Sequence, residues 1–371
     1  MLCTGARILL ESLKREGVDL FFGYPGGAVI DIYDELSNHP DLRHILVRHE
    51  QGAVHAADGY ARACGKVGVC LATSGPGATN TVTGIATAYS DSIPMVIFTG
   101  QVSTPLIGND AFQEVDIIGI TRPCTKHNFL VKDVKDLAET VRKAFYLARS
   151  GRPGPVLVDI PKNIQQASCE FVWPEDVVMR SYCPTFRANL NQLRRAMDVL
   201  VTSRKPLIVA GGGVIMANAA EELCTLAHLM HAPVCSTLMG LGAFPGDDPL
   251  WIGMLGMHGT FAANRAVTQA DVILAVGARF DDRVTGKLSQ FAPNARIVHI
   301  DIDPTTLRKN VRVEVPVVSD ALSALQGLRS ILESGHAQKD WAGDHADWMG
   351  QVLEWQKEHP LSWAKGDVLK P

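Results

Sequence analysis

Val18-Asp19-Leu20-Phe21-Phe22-Gly23-Tyr24-Pro25-Gly26-Gly27 is the stretch that decides the fold. Its first six residues form a short apolar and aromatic run, the composition of a strand. Pro25-Gly26-Gly27 breaks the run as a tight turn, and Val29 to Leu36 continues as a helix. The order is strand, turn, helix. It returns at Ile45 to Arg48 with a helix from Gly52 to Ala63, and at Val67 to Thr73 with Gly75-Pro76-Gly77 and a further helix; Pro94 to Thr99 is another strand. Upstream, Thr4 can cap a helix whose Ile8, Leu9, Leu10 and Leu13 lie mostly on one face, with Gly17 to end it. Short apolar strands alternating with helices predict a parallel sheet covered on both faces. Val156 to Ile160 is expected to close this domain.

Gln165 to Ala188 mixes Pro, Ser, Cys and charge without periodicity and reads as a linker. Beyond it Leu207 to Ala210 enters Gly211-Gly212-Gly213, a helix covers about Ala217 to His231, and Val272 to Val276 and Arg296 to Ile300 are again buried-strand runs. The prediction is an α/β chain of two doubly wound parallel-sheet domains. Residues 1–164 form the first, 165–188 the linker, 189–335 the second, and 336–371 a helical tail. Strands of the second domain end at Gly277, Asp301, Asp303 and Asp320, where an open α/β sheet binds its ligand. In the tail Trp341, Trp348 and Trp355 recur every seven residues, a stripe best read as packing. The end, Lys365 to Pro371, has no closing element and reads as a cut.

The 371 residues exceed one ordinary core, and 46% hydrophobic with 20% charged residues is a globular composition. A net charge of -4 without runs of like charge gives nucleic acid or anionic lipid nothing to bind. No apolar run is long enough for a membrane span, and Met1 leads straight into a helical pattern with no signal segment. The eight cysteines are scattered, with no C-x-x-C pair and no His cluster beside them. They read as reduced thiols, mostly core filler, in a cytoplasmic protein.

Glu50, in Arg48-His49-Glu50-Gln51-Gly52-Ala53, ends a strand and precedes a helix. Alone, a Glu there is more often a solvated surface residue. Its company raises the odds: Phe22 to Ala28 lies at the preceding strand end, and Thr73-Ser74-Gly75-Pro76-Gly77-Ala78-Thr79-Asn80 at the following one. Three adjacent strand ends would frame one crevice, with glycines that let backbone approach a ligand.

Gly-Tyr-Pro-Gly-Gly, the run from His49 to Arg62, and Ser-Gly-Pro-Gly-Ala-Thr-Asn resemble the pyrimidine-binding domain of thiamine diphosphate enzymes. The resemblance implies that Glu50 bonds N1′ of the aminopyrimidine and favours the tautomer that removes the C2 proton. Tyr24, Pro25, Gly26, Thr73, Gly75, Pro76 and Asn80 would complete the cofactor site. Further motifs resemble acetohydroxyacid (acetolactate) synthases: Thr99-Gly100-Gln101-Val102, Asp110-Ala111-Phe112-Gln113-Glu114, Thr125-Lys126, Pro161-Lys162-Asn163, Gly253 to Gly259 and Ala278 to Gly286. By that resemblance Phe112, Gln113 and Lys162 line the active site, and Met257 and Arg283 choose the second 2-keto acid. A guanidinium suits a carboxylate, although without the motif an ion pair with Asp281 or Asp282 is the better reading of Arg283.

The same resemblance assigns FAD to Arg152, Gly211, Gly212, Gly213, Thr237, Leu238, Met239, and the stretches His258 to Arg279 and Asp301 to Asp320, which include Gly259, Gly277, Ala278, Ile302 and Asp303; Asp281 joins them. Three glycines after a strand are otherwise a plain turn. The chemistry moves no net electrons, so the flavin is expected to be structural. Mg²⁺ is expected on the diphosphate, held by a third domain that this chain lacks. Gly246-Asp247, Gly343-Asp344 and Gly366-Asp367 lack the context of its motif, and His44, His55 and His231 read as local hydrogen-bonding residues, so no metal ligand is assigned. Implied partners are pyruvate or 2-ketobutyrate, a second copy of the chain in a homodimer or higher oligomer, and a small regulatory subunit. Rivals are a pyruvate oxidase, a glyoxylate carboligase, which Glu50 disfavours, and a non-catalytic FAD-binding fragment.

Overall fold

The computed structural model describes residues 2–335, 338–362 and 366, and the chain divides into two compact units, Met1–Cys183 and Pro184–Pro371. The Lys365 to Pro371 end, apart from Gly366, lies outside the described residues.

The first unit holds β1 (Leu2–Thr4), β2 (Leu20–Gly23), β3 (Arg43–Leu46), β4 (Gly68–Ala72), β5 (Met95–Gln101), β6 (His127–Leu130), β7 (Pro155–Pro161) and β8 (Ser168–Glu170). Six of them make one parallel sheet in the order β3-β2-β4-β5-β7-β6. β4, β5 and β7 are buried along their whole length, which is why they read as unbroken apolar runs. Helix Gly5–Arg15 begins at Thr4, whose side chain accepts from the Arg7 amide, and buries Ile8, Leu9, Leu10 and Leu13. Gly17 follows its end at φ +76, a conformation that suits glycine.

Three expectations need correction here. Val156 to Ile160 does not close the sheet, because β7 lies between β5 and β6; the edge strand β6 carries the polar His127 and Asn128 and so gave no apolar run. The expected linker opens with structure, since β8 pairs antiparallel with β1. Each has three residues, too few to display a period. Finally, the helix expected from Gly52 starts at Glu50, because His49 caps it by accepting from the Gln51 amide through Nδ1.

The second unit holds β9 (Pro206–Ala210), β10 (Val234–Ser236), β11 (Trp251–Met254), β12 (Val272–Val276), β13 (Arg296–Asp301) and β14 (Val315–Val318) in one parallel sheet ordered β11-β10-β9-β12-β13-β14. The helix expected over about Ala217 to His231 is Ala220–Met230, and a short helix that was not expected, Gly212–Met216, precedes it, with Asn218 between them at φ +51. Trp341, Trp348 and Trp355 are buried along helix Trp341–Glu358, and the Trp348 indole donates to the Pro206 carbonyl at 2.9 Å. The stripe is core packing, as expected. No described helix is long and apolar enough to cross a membrane.

In both sheets the chain switches the side on which it adds strands. From β2 the chain first adds β3 on one side and then β4 on the other; from β9 it adds β10 and β11 on one side and β12 on the other. Open α/β sheets place ligands beyond the carboxyl ends of the strands that flank such a reversal.

Candidate functional site

In the first unit the reversal is flanked by Gly23-Tyr24-Pro25-Gly26 after β2 and Thr73-Ser74-Gly75 after β4, with Glu50 following the neighbouring β3. The turns interlock. A Cβ on Gly26 would stand 2.5 Å from the Thr73 side chain, and the Ala28 amide donates to Thr73 Oγ1 at 3.2 Å. Glu50 opens helix Glu50–Cys64, where the unpaired amides of a helix N-terminus favour a carboxylate. Only 8% of Glu50 is exposed, and Asn80 Nδ2 donates to its Oε2 at 2.9 Å. Gly77 leaves room above it, since a Cβ there would lie 3.2 Å from Glu50 Oε1 and 2.6 Å from Thr73. Tyr24 is exposed beside this turn. A buried carboxylate, its amide partner and two glycine turns thus share one strand-end crevice.

The loop with Phe112 and Gln113 closes on the same turn. Glu114 holds it by accepting from the amides of Gly108 and Ala111 at 2.5 and 3.2 Å. Gln113 has φ +56, and its carbonyl oxygen would be 2.4 Å from a Cβ on Gly75, itself at φ +57. Phe112 is 86% exposed. Lys162 reaches the other side, donating from Nζ to the Gly27 carbonyl at 3.0 Å. The structure therefore gathers Glu50, Asn80, Gln113 and Lys162 around the Tyr24 to Gly27 and Thr73 to Pro76 turns.

Sequence reasoning missed a buried partner of this loop. Asp159 on β7 is 1% exposed; Thr99 Oγ1 donates to its Oδ1 at 2.7 Å and Gln101 Nε2 to its Oδ2 at 3.0 Å, while the same Gln101 nitrogen donates to the Val115 carbonyl at 3.0 Å. Burial pushes the Asp159 carboxyl up to about 7, against these hydrogen bonds. The available signal was an acid inside the Val156-Leu157-Val158-Asp159-Ile160 run, which has no place in a strand buried on both faces unless it is paired.

In the second unit the reversal lies between Gly211 after β9 and Gly277 after β12. The Gly211 amide donates to the Val276 carbonyl at 2.8 Å and the Gly213 amide to the Gly277 carbonyl at 3.1 Å. A Cβ on Gly211 would meet the Gly277 oxygen at 2.0 Å. These glycines bring backbone against backbone. Thr237 follows β10 and caps the turn Leu238–Gly240, leaving Leu238 exposed and the Met239 side chain against Gly212. Asp301 accepts from the Asp303 amide and Asp303 from the Thr305 amide, both at 2.9 Å, so the Asp301-Ile302-Asp303 turn is built by its own acids. Asp320 follows β14 by two residues and also caps helix Ala321–Glu333, accepting from the amides of Leu322 and Ser323. Behind the turn, His299 donates from Nε2 to the Ala278 carbonyl at 2.7 Å, and burial lowers its imidazole to about 4.

The Gly253 to Gly259 and Ala278 to Gly286 motifs meet. The Met257 amide donates to the Arg283 carbonyl at 2.9 Å, and Arg283 Nη1 lies 3.3 Å from the Met257 sulfur. It is Arg279 that pairs with Asp281, at 3.2 Å, and Asp281 also caps the turn ahead of Val284. The ion pair expected of Arg283 without the motif is therefore not the one formed. His258 and Gly259 complete the same turn, the Gly259 amide donating to Gly256 at 2.9 Å. Arg152, in the first unit, donates from Nε to Ser92 Oγ at 2.8 Å.

One reading of the cysteines changes. Only Cys3, Cys70 and Cys235 are buried, so most of the eight are not core filler. Cys224 and His228 sit one helical turn apart with Asp248 against them.

Two family models match the chain: the N-terminal TPP binding domain of thiamine pyrophosphate enzymes over residues 3–120 and their central domain over residues 193–328. The chain is 50% identical to the acetolactate synthase large subunit of Buchnera aphidicola subsp. Schizaphis graminum, over 99% of this chain and 64% of the relative. It is 50% identical to the acetolactate synthase isozyme 3 large subunit of Escherichia coli, again over 99% and 64%. To the probable acetolactate synthase large subunit of Methanocaldococcus jannaschii it is 51% identical over 95% of this chain and 59% of the relative. The chain thus spans somewhat under two thirds of the length of these relatives.

Proposed function

The chain belongs to the thiamine pyrophosphate enzymes, and from that premise we propose that it carries the pyrimidine-binding and flavin-binding parts of an acetolactate synthase. The reaction is decarboxylation of pyruvate and ligation to pyruvate or 2-ketobutyrate, in branched-chain amino acid synthesis. The observation that carries this reading is the buried Glu50, held by Asn80 in the crevice at the β2/β4 reversal. The crevice suits an aminopyrimidine in that it offers a ring nitrogen one buried carboxyl group, set between the Tyr24 to Gly27 and Thr73 to Pro76 turns.

When bound, thiamine diphosphate supplies a nucleophilic carbon and an electron sink for the departing CO₂. Glu50 would hydrogen-bond N1′ of the aminopyrimidine, and Asn80 fixes the orientation of its carboxyl group. Gln113 and Lys162 line the crevice and Phe112 stands exposed above it, positioned to exclude water once substrate binds. Arg283 takes the carboxylate of the acceptor keto acid, a role supported by its lying on Met257 rather than on Asp281 or Asp282.

FAD is assigned to the β9/β12 reversal of the second unit, with Thr237 to Met239, His258, Gly259, Gly277 to Arg279, Asp281, Asp301 to Asp303 and Asp320 as the residues of that reading. Its role is structural, since the reaction transfers no net electrons. Mg²⁺ on the diphosphate, a homodimer or higher oligomer, a small regulatory subunit and a cytoplasmic site belong to the same reading. The test is formation of acetolactate from pyruvate, with thiamine diphosphate, FAD and Mg²⁺ supplied, by the complete enzyme to which these parts belong. Acetolactate without oxygen consumption is expected. Pyruvate-dependent oxygen uptake in its place would favour an oxidase, and bound flavin with no turnover would favour a non-catalytic role.

A further inference from the structure

Helix Ala220–Met230 and the turn ahead of β11 carry a cluster that the proposed reaction does not use. Cys224 and His228 are four residues apart and so lie on one face of the helix. Asp248 meets them from the turn. His228 Nε2 lies 2.7 Å from Asp248 Oδ2, and one donor atom from each of the three residues falls within 4.8 Å of the others. Both supports are rigid. The helix is anchored by Leu223, Leu226, Ala227 and Met230, all fully buried. The turn is fixed by Asp248 itself, whose Oδ1 accepts from the Leu250 amide at 2.9 Å and whose carbonyl accepts from the Trp251 amide at 3.0 Å.

We propose that Cys224, His228 and Asp248 form a binding site for Zn²⁺. Thiolate, imidazole and carboxylate are the three donor types that zinc takes, at about 2.3, 2.0–2.1 and 2.0–2.2 Å. A tetrahedral ion at such distances spaces its donors by roughly 3 to 4 Å, so small side-chain rotations convert the cluster into a coordination shell. A hydrogen-bonded His-Asp pair needs no third partner, and the sulfur is what distinguishes this group. Three protein donors leave one position for water. The His228 side chain is half exposed, which gives the ion a path from solvent. Mg²⁺ does not compete, because it prefers an all-oxygen shell. A bound ion ties the helix to the turn and stabilises the second unit by linkage.

The experiment titrates the metal-free full chain with Co²⁺ and then Zn²⁺, following the thiolate-to-cobalt absorption band and the melting temperature. One equivalent of Co²⁺ is expected to raise the band, Zn²⁺ to displace it, and excess Mg²⁺ to leave it unchanged. Cys224→Ser and His228→Ala should abolish the band, Cys64→Ser should retain it, and Asp248→Asn, which preserves the turn-forming acceptor, should weaken affinity at least tenfold. Should either of the first two variants fail to fold by circular dichroism, the Asp248→Asn result decides alone. Absence of a thiolate band in the parent chain, its survival in folded Cys224→Ser, or unchanged affinity in Asp248→Asn overturns the site.

Discussion

Asn80 Nδ2 donates to Glu50 Oε2 across 2.9 Å, joining the helix that starts after β3 to the turn that follows β4. The bond spans thirty residues of sequence and fixes where the one buried carboxylate of the crevice points. Removing the acid while keeping the shape is therefore the sharpest test of the proposed chemistry. In the complete enzyme, Glu50→Gln should fold normally and slow proton exchange at C2 of bound thiamine diphosphate by about 10² to 10⁴-fold, the range for lost acid-base assistance. Deuterium exchange followed by NMR measures it, and an unchanged rate removes Glu50 from the reaction.

Arg283 has its guanidinium on the Met257 sulfur, while Arg279 takes Asp281. Arg283→Ala should therefore spare the local fold and flavin content, and impair the acceptor step. The expected loss is a few kcal/mol, roughly the worth of a charge-assisted bidentate pair. Competition between pyruvate and 2-ketobutyrate, with flavin read by absorbance, separates the two. Equal loss of the decarboxylation and ligation steps contradicts the role.

Gly75 is held at φ +57 with the Gln113 carbonyl against it. Gly75→Ala adds a Cβ where there is no room and an unfavourable backbone conformation, at a cost of about 1–3 kcal/mol. The cheapest relief is to lift the 108–114 loop. Limited proteolysis should cut the variant within that loop faster than the parent, and equal cutting rates with equal melting temperatures would show the approach to be looser than described.

Asp159 is an acid that burial drives up to about 7 from its ordinary value. The folded state then binds a proton more tightly than the unfolded chain does. Its contribution to stability is complete below the ordinary carboxylate range and is lost as pH rises through about 7. Asparagine can take the same two partners, accepting from Gln101 and donating to Thr99. Asp159→Asn should gain stability relative to the parent as pH rises across that window, in paired urea titrations at several pH values. A constant difference across the window would refute the shift.

Much of this was legible because buried parallel strands announce themselves. Val272 to Val276 runs between the bounds read from its apolar residues, and the motifs at Glu50, Gly26 and Gly75 fell at neighbouring strand ends because β3, β2 and β4 are adjacent in the sheet. What stayed hidden was short or polar. β6 begins with His127 and Asn128, β1 and β8 have three residues each, and the roles of Asp159 and Asp320 depend on partners that no spacing reveals. The Cys224, His228 and Asp248 group was invisible for a similar reason, since its acid stands twenty residues from the histidine and joins it only when the turn packs on the helix.

Gly211 and Gly213 press on Gly277 so closely that a Cβ on either would collide with main chain. No side chain is tolerated there whether or not a dinucleotide is present. Glycine at these positions is thus a requirement of the architecture, and a descendant that abandoned flavin altogether would still have to keep all three. Among relatives, the retention of this triplet is uninformative about cofactor content; the residues free to drift when flavin is lost are those whose side chains, like that of Leu238, project into solvent beyond the strand ends.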